Sequence, residues 1–325
     1  MNLSSYSECL ETAGYNVLAG SNDTIWVSHG RFAMQRQPVF ALHDPSEEET
    51  REVFRAARVP LLSFVIKASV QWPANSNLYL CSDNDYSLDK LAKGPRYDVR
   101  RGLSEFEIKL LEHSELLRLG SQAYCDTLAR TRLTGGTPEK FKALFGRVRA
   151  DRKYLGALRG NRLAAFLMVT EVEDWVSIGG YSVTEFLPLR PNNALIFHVL
   201  RNSLVERNLR VVSYGLSSIQ AVSNQIGLDR FKAKMGFRSV PVHRAFTLHP
   251  YLRPFVNRVS CGLASGILKL SPRNMILKKA EGALRMALSE RKPQSHSEER
   301  TPVPSPLNVP RSEPDVEHIF PSNQE

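Results

Sequence analysis

Between Lys153 and Phe246 the chain spells strand, tight turn, strand, strand, helix, strand, helix, strand, and few folds accept that order. Tyr154 to Leu158 and Leu163 to Val172 are apolar runs joined by Arg159-Gly160-Asn161-Arg162, whose Gly-Asn centre predicts a β-hairpin. Asp174 to Val183 reads as a third strand with Gly179-Gly180 in mid-run, marking a bulge or the close approach of a backbone or ligand. Asn193 to about Asn208 predicts a helix with Ile196, Leu200 and Leu204 as its apolar stripe, capped by Asn192 or Asn193. Val211 to Gly215 is a buried strand, Leu228 to Met235 a helix closed by Gly236, and Arg238 to Phe246 a last strand.

The N-terminal third has its own alternation. Thr24 to Ser28 and Val39 to Leu42 read as short strands. Ser46-Glu47-Glu48-Glu49 predicts a capping box, with Glu49 reaching back, at the head of a helix running to about Arg58. Leu61 to Ile66 and Asn77 to Cys81 are apolar strands. This is an α/β module of its own or a half-sheet joined to the next. A connector, Lys93 to Arg101, carries Lys93, Arg96, Arg100 and Arg101. Short helices follow at Ser114 to Arg132 and Thr137 to Arg149, with Thr137 as N-cap and Pro138 at the first helical position.

Four segments result: an α/β half at 1–92, the main domain at 93–250, basic amphipathic helices at 251–290, and a tail at 291–325. The tail interleaves seven prolines with Ser and Glu, too little apolar surface to offset the entropy of ordering, so disorder is expected. In the third segment Val259, Leu263, Ile267 and Leu270 share one helix face, and Ile276, Ala280, Leu284 and Leu288 a second beyond Pro272. Such a pair suits an anionic membrane surface, or docks on the protein's own body or a second subunit.

At 325 residues with 42% hydrophobic content the chain can bury a sizeable core. No apolar run reaches the roughly 18 residues of a bilayer span, and the first twenty residues lack a secretory pattern. A cytoplasmic location is expected, with the inner membrane face as a peripheral site. Four scattered cysteines and eight scattered histidines give neither a disulfide framework nor metal-ligand spacing. The net charge of +10 suits an anionic partner, or merely keeps the protein in solution.

The helix ending Phe231-Lys232-Ala233-Lys234-Met235-Gly236-Phe237 is similar to the Phe-Tyr-x-Lys-x-Gly-Phe ending of GNAT acyltransferases. Ser213-Tyr214-Gly215, then Gly227 and Phe231-Lys232, resembles the strand-end pattern of their FemAB-like and BioF2-like branch. Over about a hundred residues the chain thus resembles a GNAT-superfamily acyltransferase. The resemblance implies an α/β fold, a mixed sheet flanked by helices, with a second GNAT-like half at the N-terminus. Three departures stand out. The pyrophosphate signature is replaced by Leu189-Arg190-Pro191-Asn192-Asn193-Ala194, Lys232 stands where many relatives place a general-acid tyrosine, and Ser213 stands for the branch's Asp.

The resemblance implies direct attack of an amine or hydroxyl on an activated acyl carbonyl. Acyl-CoA serves as co-substrate, with no resident cofactor and no metal, and the acceptor is a small molecule, saccharide or peptide. That reaction needs a phosphate site, amides facing the oxyanion, and a base. Candidates for holding the donor are Gly179, Gly180, Arg190, Asn192, Asn193 and Lys232. Candidates for the chemistry are Tyr214, Ser213 and Ser217, with Ser218 beside them. Arg100, Arg101, His198 and Asn224 are candidates for the acceptor. Two rivals remain: an aminoacyl-tRNA-dependent transferase acting on a cell-wall precursor, and a non-catalytic GNAT-like binding module.

Overall fold

The computed structural model describes residues 1–131, 136–217, 225–255, 257–270 and 281–282. In chain order the elements are α1 (Leu3–Thr12), β1 (Val17–Ala19), β2 (Ile25–Ser28), β3 (Ala33–Gln37), α2 (Glu47–Ala57), β4 (Leu61–Lys67) and β5 (Ser76–Cys81). Next come α3 (Lys93–Glu105), β6 (Glu107–Leu110), α4 (His113–Leu119), α5 (Ser121–Arg130), α6 (Pro138–Phe145), β7 (Lys153–Arg159), β8 (Arg162–Val172) and β9 (Trp175–Ser182). The chain continues through α7 (Pro191–Leu200), β10 (Val211–Leu216), α8 (Gln225–Lys234), β11 (Arg238–Leu248) and α9 (Arg258–Leu270).

All eleven strands form one mixed sheet in the order β1-β2-β3-β4-β11-β5-β10-β9-β8-β7-β6. β5, from the N-terminal third, is inserted between β10 and β11, and β11 in turn pairs with β4. The two halves therefore share hydrogen-bonded ladders. Alternation along β5 feeds both faces: Tyr79 and Cys81 enter the larger core, with α7 and the aromatic group around Phe145 and Phe166. Leu78 and Leu80 enter a second core under α1 with Trp175 and Val211.

Several local expectations need correction. Lys93 to Arg101 is not a connector but most of α3, whose apolar positions Pro95, Val99 and Gly102 are buried. Val39 to Leu42 is not a strand; the pairing residues lie earlier, in β3, and end before Pro38, which has no N–H for a ladder. The two or three short helices expected over Ser114 to Arg132 and Thr137 to Arg149 form as α4 and α5, which meet at Gly120, and α6. No bulge marks Gly179-Gly180, because the β8–β9 register runs unbroken through both. The second amphipathic run, Ile276 to Leu288, and the tail lie outside the described residues.

Half of the capping box forms. Ser46 Oγ accepts from Glu49 N, but the Glu49 carboxylate turns inward instead of reaching back. It accepts from Trp26 Nε1 (2.8 Å) and Ser21 Oγ (2.6 Å) and lies 3.7 Å from the buried guanidinium of Arg36. Arg36 also donates to Thr24 Oγ1 and to the His43 carbonyl. Burial works to raise the Glu49 pKa, but these donors and the Arg36 charge outweigh it and hold the carboxyl below its ordinary value. Its contribution to stability is present above the unfolded pKa and is lost as pH falls through the lower folded one. Glu49→Ala leaves Arg36 buried without its carboxylate and should cost about 2–3 kcal/mol by urea denaturation at neutral pH. A loss under about 0.5 kcal/mol would remove this network from the account of the N-terminal half.

Candidate active site

β9 and β10 run parallel, but their pairing covers only Val211/Trp175, Val212/Val176 and Ser213/Ser177. Beyond that the strands part. The departure is local chemistry: Ser213 Oγ accepts from Gly215 N (3.1 Å), and Gly215 takes φ +75°, a conformation a side chain would resist. β10 shifts register against β5 at the same place, between Ser213 and Leu216.

Gly180 lies on the open side of β9. Val183 N donates to Ala164 O across the β8–β9 ladder, and bonding pairs alternate along an antiparallel ladder. Gly179 and Tyr181 therefore point their amides at β8, while Gly180 and Ser182 point theirs away. The Ser182 N–H is taken by Thr127 Oγ1 (2.8 Å). That leaves the Gly180 N–H and C=O facing the gap where β10 has departed. A Cβ at Gly180 would sit 2.8 Å from Leu167 Cδ2 and in ordinary contact, 3.9 Å, with the Tyr214 hydroxyl, so the glycine makes room for Leu167.

Tyr214 bridges the gap to α8. Its ring packs edge-on against Phe237 (5.4 Å between centroids), and the Lys232 ammonium lies 5.0 Å from its centroid. The same ammonium sits 4.0 Å over the Tyr79 ring. Lys232 is only 3% exposed and makes no ion pair among the described residues. Burial pushes its pKa down to about 8, against a smaller upward pull from Asp229, and the two ring faces favour the charged form. Burial also pushes the Tyr214 phenol up to about 12, so near neutral pH it is a proton donor and not a base.

The start of α7 is occupied by the protein itself. Arg190, the N-cap residue, has φ +67° and its side chain pairs with Asp98 of α3 (3.0 Å). Neither Asn192 nor Asn193 is the cap, because Pro191 already holds the first helical position. Asn192 Nδ2 donates to Ser182 Oγ (3.2 Å), and the buried Asn193 turns to Met235 Sδ (3.4 Å). α3 presses close here: a Cβ at Gly102 would lie 2.5 Å from the Arg190 carbonyl oxygen.

Gly180, Tyr214 and Lys232 are thus brought together, and Arg190, Asn192 and Asn193 cluster at the α7 start. Ser213 is buried, its hydroxyl held by Gly215, and Ser217 accepts from Asn77 N (2.9 Å) beside Ser76 Oγ. Both fix the strand end. Gly179 faces β8, His198 is on the exposed side of α7, and Arg100 and Arg101 sit on α3, which packs chiefly on α7. Ser218 and Asn224 lie outside the described residues. Sequence reasoning missed Tyr79 and Asp98, whose roles depend on pairing between distant segments. It also missed Arg130, which donates to Ser182 Oγ (2.8 Å) and Thr184 Oγ1 (2.7 Å) and secures the end of β9.

A mixed sheet with a strand pair opened mid-length, flanked by helices, is a GNAT-like fold. Among solved structures, FemX superposes with a TM-score of 0.52 at 9% identity, over 76% of this chain and 92% of that one. L-PGS from Bacillus licheniformis gives 0.47 at 15% identity, over 76% and 87%. A GCN5-related N-acetyltransferase from Kribbella flavida gives 0.44 at 10%, over 76% and 94%. By sequence, no family model and no curated protein matches the chain.

Lys232 offers a direct measurement. Its folded pKa of about 8 lies below the ordinary 10.5, so between those values the unfolded chain binds more protons. Stability should therefore rise with pH across that window in the native protein. Lys232→Met removes that rise and is expected to be neutral or stabilising by about 1–2 kcal/mol at pH 7 in thermal or urea melts. A variant markedly less stable at pH 7 would mean that the ammonium holds the fold together.

Proposed function

We propose that the protein is an acyltransferase that moves an acyl group from a CoA thioester to an amine or hydroxyl acceptor. The observation that carries this reading is the Gly180 amide facing the β9–β10 gap with the Lys232 ammonium one tyrosine ring away. A thioester carbonyl laid in the gap accepts from Gly180 N–H as its oxygen gains charge, where pre-aligned donors are most effective. The acceptor attacks the carbonyl carbon, the C–S bond breaks, the leaving thiolate takes a proton from Lys232, and the proton shed by the acceptor returns the neutral lysine amine to its ammonium. A lysine near 8 is well matched to a thiol near ~8.5, so this transfer is close to isoenergetic. Tyr214 contributes a neutral phenol hydrogen bond. Lys232 takes the part that a tyrosine plays at this position in the GNAT proteins that the sequence resembles.

A second reading keeps the chemistry and changes the donor. Asp98 pairs with the Arg190 side chain and Pro191 has no N–H, so the start of α7 offers a pyrophosphate less than a bare helix end does. That favours an aminoacyl ester carried on tRNA, bound by contacts away from α7.

Calorimetry of the purified protein with acetyl-CoA, longer acyl-CoAs and charged tRNA separates the two. We expect heat with a CoA thioester, reduced by Arg190→Ala. Lys232→Met should lower kcat by about 10²–10³-fold with donor binding retained, and Tyr214→Phe by about tenfold. Heat with charged tRNA alone would move the conclusion to the second reading. No heat with any acyl donor, or full turnover by Lys232→Met, would overturn the proposed reaction.

A further inference from the structure

α9 turns its apolar side outward. Val259, Leu263 and Ile267, spaced by four residues, are 71%, 63% and 49% exposed, and Gly262 and Gly266 lie exposed beside them. On a helix these five residues fall within one continuous sector, and none of them is charged. No Cβ-sized obstacle lies near either glycine, so that side of the helix is smooth. Just upstream, Tyr251 is 81% exposed, and Leu252 closes a shallow depression of about 420 Å³ rimmed by Arg55 and Arg58. Isolated exposed apolar residues need no explanation, but a helical stripe of them does.

The charge around this stripe identifies what covers it. Residues 251–292 contain nine lysines and arginines against two glutamates, a net +7 in 42 residues. Residues 1–250 also carry a net +7, spread over six times the length. Basic density and an outward apolar stripe therefore coincide on one segment. A second copy of the chain would bring a second dense cluster of positive charge against the first. An anionic bilayer accepts both features at once, the stripe entering the headgroup–acyl boundary and the cations meeting lipid phosphates. Among the described residues no helix is long and apolar enough to cross a membrane, so the contact is in-plane. At 13 residues α9 presents about 20 Å of such a helix.

We infer that the α9 segment docks the protein peripherally on an anionic phospholipid surface, through Val259, Leu263 and Ile267, in a stretch of sequence, 251–292, rich in basic residues. The inference is independent of the acyl donor.

Sedimentation of the full chain with vesicles tests it. Phosphatidylcholine vesicles containing phosphatidylglycerol should carry the protein down, pure phosphatidylcholine vesicles should not, and raised salt should release it. Leu263→Glu with Ile267→Glu should weaken vesicle binding by roughly tenfold or more while leaving the thermal melt unchanged, since both side chains face solvent. Tyr251→Ser provides a second variant outside the helix, expected to weaken binding by about two- to fivefold. The inference is overturned by absence of sedimentation with the anionic vesicles, or by equal binding to neutral ones. It is also overturned by a dimer in analytical ultracentrifugation that the Glu pair dissociates without any vesicle binding.

Discussion

The structure turns on a ladder that stops early. Parallel strands normally continue pairing as long as both persist, because an unpaired buried amide forfeits its hydrogen bond. Here β9 continues to Ser182 and β10 to Leu216, yet they exchange hydrogen bonds only as far as Ser177 and Ser213. The serine hydroxyl that accepts from Gly215 N and the left-handed glycine together turn β10 away from its neighbour. β5 and the Ser217–Asn77 bonds then hold it there. The gap thus depends on two serine hydroxyls, one glycine and the hold of β5.

One tyrosine ring from that gap the fold places an ammonium at a cost. Taking Lys232 out of water disfavours its charge, and among the described residues it finds no carboxylate at ion-pair distance, only two aromatic faces and the field of Asp229. A hydrophobic residue of similar volume would pack there more favourably. Burial lowers its pKa to about 8, a cation that gives up its proton close to neutral pH, which is the property the proposed transfer would use. Tyr214 moves in the opposite direction for the same physical reason, burial penalising its charged form, so the pair stays cationic and neutral respectively.

How much of this was legible beforehand follows the range of the interactions. The hairpin at Gly160-Asn161, the Thr137–Pro138 helix start and the Gly236 helix end were readable because each depends on a few adjacent residues. α3 was hidden because its charged residues masked a buried face of only Pro95, Val99 and Gly102. Gly180 stood out as a glycine in a strand, but its role depends on which side the ladder leaves open. Lys232 could be placed by its resemblance to a family motif, whereas its burial comes from Tyr79, more than 150 residues earlier. Pairing of β5 with β10 and β11 creates that contact, and no local pattern announces it.

The missing pyrophosphate signature and the Asp98–Arg190 pair express one constraint. A helix start binds phosphate when its first N–H groups are bare and small residues let the anion approach. At α7, Pro191 removes one donor outright, and α3 comes close enough to require Gly102 beneath the Arg190 carbonyl. Asp98 brings a negative charge where the helix dipole would otherwise attract a ligand's. The segment that the sequence shows as a lost motif is thus shaped by Pro191 and by the Arg190–Asp98 pair. Under the proposed transfer, acyl chemistry and donor anchoring would be separate problems, the strand gap and Lys232 serving the carbonyl and other contacts the rest of the donor.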